Sequence, residues 1–149
     1  MRIMALDVGT KRIGVAITDP LGMLAQPLTV VQRKSDEAAI EEILKLIAEK
    51  GVGEVVVGLP RRTDGSEGPE AAAVRQFAAK LQERCNAPLA WYDERLTTAL
   101  AQNVLLEADL SRAKRKKVVD QVAASVILQG YLEYRGTGLG KNTRIKNEE

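Results

Sequence analysis

The chain has 149 residues, enough for one domain with its own core, and its make-up (45% apolar, 28% charged, 3% aromatic, net charge +2) is that of a water-soluble globular protein whose interior must be built from Val, Ile, Leu and Ala. A single cysteine, Cys85, excludes an internal disulfide and a Cys-pair zinc site. The absence of histidine excludes a Ser-His-Asp triad, a Cys-His dyad and an imidazole base, so any catalysis must rest on carboxylates, Lys, Tyr or a bound metal.

Residues 2–8 read as a buried strand with one acid, Asp7, near its end. Gly9 to Arg12 is a turn and Ile13 to Thr18 a second strand, closely spaced as in a hairpin. After a turn at Asp19 to Gly22, Met23 to Gln32 is a third strand, interrupted or edged by Pro27. Ser35 caps a helix running to about Lys50, with Ile40, Ile43, Leu44 and Ile47 at helical spacing and Gly51 as the stop. Glu54 to Gly58 holds the run Val55-Val56-Val57, which suits a strand covered on both faces. A loop rich in Pro, Arg, Asp and Gly follows, then a helix from Pro69 to Arg84 and a fifth strand from Pro88 to Tyr92. Thr97 to about Glu107 reads as a helix, followed by a basic segment and a last helix from Val118 to Tyr134. From Gly136 onward the chain is polar and glycine-rich, so the expected division is a domain over 1–135 and a flexible tail over 136–149. The order βββ-α-β-α-β, then helices, predicts the α/β class, with a mixed sheet and helices packed on its faces. No apolar run reaches the ~20 residues of a membrane span, and Asp7 breaks the N-terminal one, so the expected setting is cytoplasmic, with no membrane partner.

Asp7 is the most informative position, because an acid inside an apolar strand is costly to bury without a partner. It reads either as a cap on the following turn or as a metal ligand or general base at the carboxyl edge of the sheet. Asp93 and Glu94 leave the fifth strand at that same edge, and Arg95 beside them can grip a phosphate or simply neutralise them. Asp120 lies near the start of the last helix beside small residues. Acids brought to one edge from separate segments suit an oxygen-ligand site for Mg²⁺ or Mn²⁺. Two such ions roughly 3.5–4 Å apart would clamp a phosphodiester. The loop over 58–68 ends at a helix start, a position that favours phosphate, but lacks the ending of a P-loop. Lys11, Arg12, Arg61, Arg62, Arg95, Lys114, Arg115 and Lys117 are the cations expected to hold a nucleic-acid backbone. Tyr92 or Trp91 is a candidate for stacking on a base.

Four ordered blocks resemble the bacterial YqgF/RuvX family: Asp7 to Ala16, Val57 to Pro60 with Asp64 to Gly68, Asp93 to Thr98, and Asp120 to Ala124 with Ile127, Leu128, Gln129, Tyr131 and Leu132. The resemblance implies an RNase H-like fold related to Holliday-junction resolvases. It also implies a nuclease acting on the 5′ end of precursor 16S ribosomal RNA or on branched DNA. The family's acidic triad falls on Asp7, Glu94 and Asp120, which makes Glu94 rather than Asp93 the expected ligand; spacing alone does not choose between them. A ribosomal particle is a further expected partner, a non-catalytic RNA-binding factor of ribosome assembly is the alternative to a nuclease, and monomer and homodimer both stay open. Asp7-Val8-Gly9-Thr10 also resembles the first phosphate loop of the actin and sugar-kinase superfold, but those enzymes need a second domain that 149 residues cannot supply.

Overall fold

The computed structural model describes residues 1–96 and 112–136, with side chains for 1–95 and 122–135. Five strands, β1 (Arg2–Val8), β2 (Arg12–Thr18), β3 (Ala25–Gln32), β4 (Val52–Leu59) and β5 (Leu89–Asp93), form one sheet in the order β3-β2-β1-β4-β5. β1, β2 and β3 pair antiparallel, whereas β1 pairs with β4, and β4 with β5, in parallel. The mixed five-stranded sheet is therefore as expected. Its parallel half is made by α1 (Asp36–Lys50) and α2 (Pro69–Arg84), which carry the chain back between parallel strands.

The central strand explains the layering. On β1, Met4 and Leu6 face one side and Ile3 and Ala5 the other, and all four are buried. The Met4 side is covered by Ile40 and Ile43 of α1 and by Val74, Phe77 and Leu81 of α2. The Ile3 side is covered by Ala124, Ile127, Leu128 and Tyr131 of the last helix, α3 (Arg112–Gly136). Helices thus pack on both faces, and β1 and β4 are apolar throughout because each is buried twice.

Local signals set the ends. The Ser35 hydroxyl accepts from the Ala38 amide at 3.0 Å, and Gly51 closes α1 in the left-handed region at φ 67°. β3 begins at Ala25 rather than Met23, because the Asp19 carboxylate takes the amides of Met23 (2.7 Å) and Leu24 (3.3 Å) and holds them in the turn. Pro27 sits in β3 at the edge of the sheet, beside a register shift between Val15 and Ala16. The last helix is described from Arg112, and is already helical ahead of the expected Val118. The run Arg-Ala-Lys-Arg-Lys-Lys has no apolar period but is made wholly of strong helix formers. The helix expected over Thr97 to Glu107 and the expected tail beyond Gly136 lie outside the described residues. Among the described residues no helix is long and apolar enough to cross a membrane.

Candidate active site

β1, β4 and β5 run in the same direction, so their carboxyl ends share one edge of the sheet. Asp7 stands at that edge on β1, two residues beyond Ala5, and strand alternation sends it to the α3 side. On β5, Ala90 and Tyr92 face α3, whereas Leu89 and Trp91 face α2. The chain then enters a single 3-10 turn, Glu94–Leu96. That turn brings Glu94 to Asp7, and the two carboxyl groups hydrogen-bond to each other.

Gly58 of β4 makes the space for this contact. A Cβ built there would fall 2.6 Å from Ile127 Cδ1, 3.0 Å from Glu94 Cγ and 3.1 Å from Glu94 Cδ. Only a residue without a side chain lets α3 and Glu94 approach β4 together. Burial, then the Asp7 charge and hydrogen bond, then the Asp93 charge, push the Glu94 carboxyl up to about 8. The pair therefore holds a shared proton near neutrality, and a cation can take the place of that proton. Its donors are carboxylate oxygens alone, which suits Mg²⁺ or Mn²⁺. Among the described residues no group of three or more His, Cys, Asp or Glu side chains is placed to hold an ion. The side chain of the third expected acid, Asp120, lies outside them. Its backbone is helical, four residues before the buried Ala124 and thus on the same face of α3.

Asp93 is placed differently. It lies in line with Leu89 and Trp91 and accepts from Arg95 Nε at 2.9 Å and Nη2 at 2.7 Å. Burial acts to raise its carboxyl, but the hydrogen bonds from Arg95 outweigh burial and hold it below the usual carboxylate range. Arg95 therefore neutralises Asp93, and its Nη1 also reaches the Thr63 carbonyl at 3.4 Å. Of the two readings open for Arg95, the structure displays the neutralising one.

The remaining expected cations divide into three groups. Lys11 and Arg12 flank the β1–β2 turn at the Asp7 end, with Lys11 exposed and Arg12 half-buried. Arg61 and Arg62 are exposed in the loop after β4, which is folded by bonds from Arg62 N to Ser66 O and from Gly65 N to Arg62 O, both 2.8 Å. Arg61 reaches Glu67 only at 3.7 Å, because Glu67 is already held by Arg75 through two 2.7 Å bonds. Lys114, Arg115 and Lys117 lie in the first turns of α3, and their side chains are outside the described residues. Of the aromatic candidates, Trp91 is half-buried on the α2 side with the Arg75 guanidinium 4.9 Å from its ring centroid, and Tyr92 is buried edge-on to Tyr134.

The sequence did not reveal two contributors. Gly58 could have been found as a glycine inside an apolar strand, a pattern that marks close approach. Arg33 donates to the Gly9 carbonyl at 2.8 Å and to Asp36 at 2.9 Å while lying over Phe77, and so fastens the turn that follows Asp7. Nothing in its local sequence announces that contact.

Comparison with known proteins identifies the family. The family model described as "RuvX: Holliday junction resolvase" matches residues 1–134. A Moorella thermoacetica protein named "Putative pre-16S rRNA nuclease" is 57% identical over 136 residues, covering 91% of this chain and 97% of its own length. A Halothermothrix orenii protein of the same name is 53% identical over 135 residues, covering 91% and 96%. Among solved structures, Thermus thermophilus RuvC in complex with a Holliday junction substrate superposes with a TM-score of 0.58 at 12% identity, over 97% of this chain and 99% of that one. The fowlpox virus Holliday junction resolvase gives 0.55 at 14% identity, over 91% and 99%. At that identity the two structures speak for the fold, which is RNase H-like, as expected. A family model matched over residues 1–134, with relatives at 57% and 53% identity over most of the chain, shows that this chain belongs to the RuvX family of nucleases.

Proposed function

We propose that the chain is a divalent-metal-dependent nuclease that processes the 5′ end of pre-16S ribosomal RNA, with Asp7, Glu94 and Asp120 as the carboxylates of its centre. The observation that carries this reading is the contact between the carboxyl groups of Asp7 and Glu94, delivered to one point from opposite ends of the sheet's parallel half. A protein fold does not keep two acids together in a half-buried position for stability, since each raises the cost of ionising the other. Asp7 and Glu94 would hold the cation, with Asp120 joining them from α3. When bound, the cation supplies a Lewis acid to the phosphoryl group.

The chain's own residues do the rest. Glu94 keeps its place because Gly58 carries no side chain. Arg33 fixes the Gly9 carbonyl and with it the exit of β1. Lys11, Arg12, Arg61 and Arg62, grouped by the parallel edge, would engage the phosphate backbone and orient it without reading bases. Arg95 acts one step away, through Asp93 and the Thr63 carbonyl, on the loop that presents Arg61 and Arg62.

RNA is preferred as substrate because the relatives at 57% and 53% identity are named for pre-16S rRNA. A four-way DNA junction is the competing substrate, favoured by the description of the family model. The two are separated by incubating the pure protein with a pre-16S leader transcript and with a four-way junction, each with Mn²⁺ or Mg²⁺ and each with an Asp7→Asn control. The proposal expects metal-dependent cleavage of the transcript, none by the control, and little cutting of the junction. Preferential symmetric cutting of the junction would transfer the assignment to DNA.

A further inference from the structure

Glu54 is the most deeply buried acid among the described residues, 1% exposed, and it lies well away from the Asp7 edge, near the start of β4. Its neighbours explain why it stays. Tyr131 Oη donates to one carboxylate oxygen at 2.6 Å, and Arg135 Nη1 donates to the other at 2.8 Å. Both donors belong to α3. A carboxylate with each oxygen taken by a directional bond adds a specific register to the apolar packing of its partner helix.

The position of this clamp matters because of what else α3 carries. Tyr131, Ile127, Ala124 and Asp120 recur at spacings of four, three and four residues, so they share one helical face. Tyr131 meets Glu54, Ile127 lies over Gly58, and Ala124 is fully buried one turn further on. Residues 54, 56 and 58 alternate onto the α3 side of β4, which leads from the clamp to Glu94. The helix thus crosses the sheet with its clamped end at Glu54 and its other end toward the carboxyl edge.

We propose that Glu54 is a positioning residue for catalysis: by binding Tyr131 and Arg135 it sets the rotation and axial position of α3, and so places Asp120 against Asp7 and Glu94. This rests on the three-carboxylate reading above. Eleven residues of helix separate Asp120 from Tyr131, about 16 Å along the axis. Over that length a helix tilt of about 4° becomes a displacement of about 1 Å, enough to cost ~100-fold in rate.

The test uses the full chain with Glu54→Gln, which keeps shape and removes charge, and with Tyr131→Phe, which removes a single hydroxyl. Three quantities are read: cleavage kinetics, Mn²⁺ binding by electron paramagnetic resonance on protein without substrate, and amide exchange along α3 and β1. The expected result for Glu54→Gln is a tenfold or greater fall in kcat with KM unchanged, weaker Mn²⁺ binding by a similar factor, and faster exchange in residues 122–135 while β1 keeps its protection. Tyr131→Phe should show the same pattern at smaller size, and the double variant should be little worse than Glu54→Gln, since the groups act as a unit. Wild-type kcat and Mn²⁺ affinity in both variants would overturn the proposal, as would losses that follow the unfolded fraction alone. If wild-type protein binds no Mn²⁺, or Asp7→Asn still cuts at full rate, the failure lies with the three-carboxylate reading and not with Glu54.

Discussion

Replacing Gly58 with Ala adds one methyl at the point where β4, α3 and Glu94 meet. The new Cβ would lie 2.6 Å from Ile127 Cδ1 and 3.0 Å from Glu94 Cγ. Carbon atoms rest at about 3.5–4.0 Å, so Ile127 Cδ1 must retreat by roughly 1 Å and Glu94 Cγ by about half an ångström. Ile127 is 1% exposed and can turn only within the core, while Glu94 must shift on the short turn that bears it. Overpacking of this kind costs about 1–3 kcal/mol, and the better strand propensity of Ala over Gly offsets about 0.5–1 kcal/mol of it. The net loss of about 1–2 kcal/mol corresponds to a fall in melting temperature of roughly 3–8 °C and leaves a typical domain folded. The rate should suffer more, because moving Glu94 by about half an ångström from Asp7 is worth on the order of tenfold. Urea denaturation together with single-turnover cleavage of the preferred substrate separates the two effects. Wild-type cleavage by a folded Gly58→Ala protein would refute the view that close approach at Gly58 sets the position of Glu94.

Three further predictions rest on the same geometry. The native Glu94 carboxyl sits near 8 against an ordinary value of 4.5, so between those values the folded state holds more protons than the unfolded state and metal-free stability falls as pH rises. The loss should amount to a few kcal/mol, on the order expected for a shift of this size, and should shrink in Asp7→Asn or when Mn²⁺ is added; urea curves in chelator at pH 5 and pH 8.5 check it, and equal stabilities would contradict it. Glu94→Gln should reduce cleavage by about 100-fold or more, whereas Asp93→Asn, which releases Arg95 and loosens its hold on Thr63, should cost about tenfold or less; comparable losses in matched kinetics would contradict the division of roles drawn from their opposite faces. Arg61→Ala with Arg62→Ala should weaken nucleic-acid binding about equally for all sequences and lower the salt slope of log K by roughly 1–2; an unchanged slope by fluorescence anisotropy would remove these residues from the interface.

What the sequence disclosed, and what it hid, follows from the range of each interaction. The Ser35 cap, the Gly51 stop and the Ile40, Ile43, Leu44 and Ile47 stripe are local, and they appear as read. The run Val55-Val56-Val57 announced a strand buried on both faces, and β4 is the second strand from that edge of the sheet, covered by α2 on one side and α3 on the other. The helical run over 112–117 was read as a basic segment, because those six residues have no apolar face to show. Spacing could not choose between Asp93 and Glu94, since both leave the same strand. The proposed choice came by resemblance, and parity supports it: Asp93 continues the Trp91 side, and Glu94 lies with Asp7 on the Tyr92 side. Long-range polar contacts left no trace in the local sequence. Arg33 on the Gly9 carbonyl and Glu54 beneath Tyr131 join elements far apart along the chain, and each became visible only once the sheet order was known.

The central claim is that Asp7, Glu94 and Asp120 converge on a divalent cation, and a crystal soaked in Mn²⁺ tests it most directly through anomalous scattering. The account predicts a peak bounded by carboxylate oxygens of all three residues, at about 2.0–2.3 Å, and its loss in Asp7→Asn. Saturating Mn²⁺ with no peak between residues 7 and 94, or Asp120 turned away from both, would contradict it.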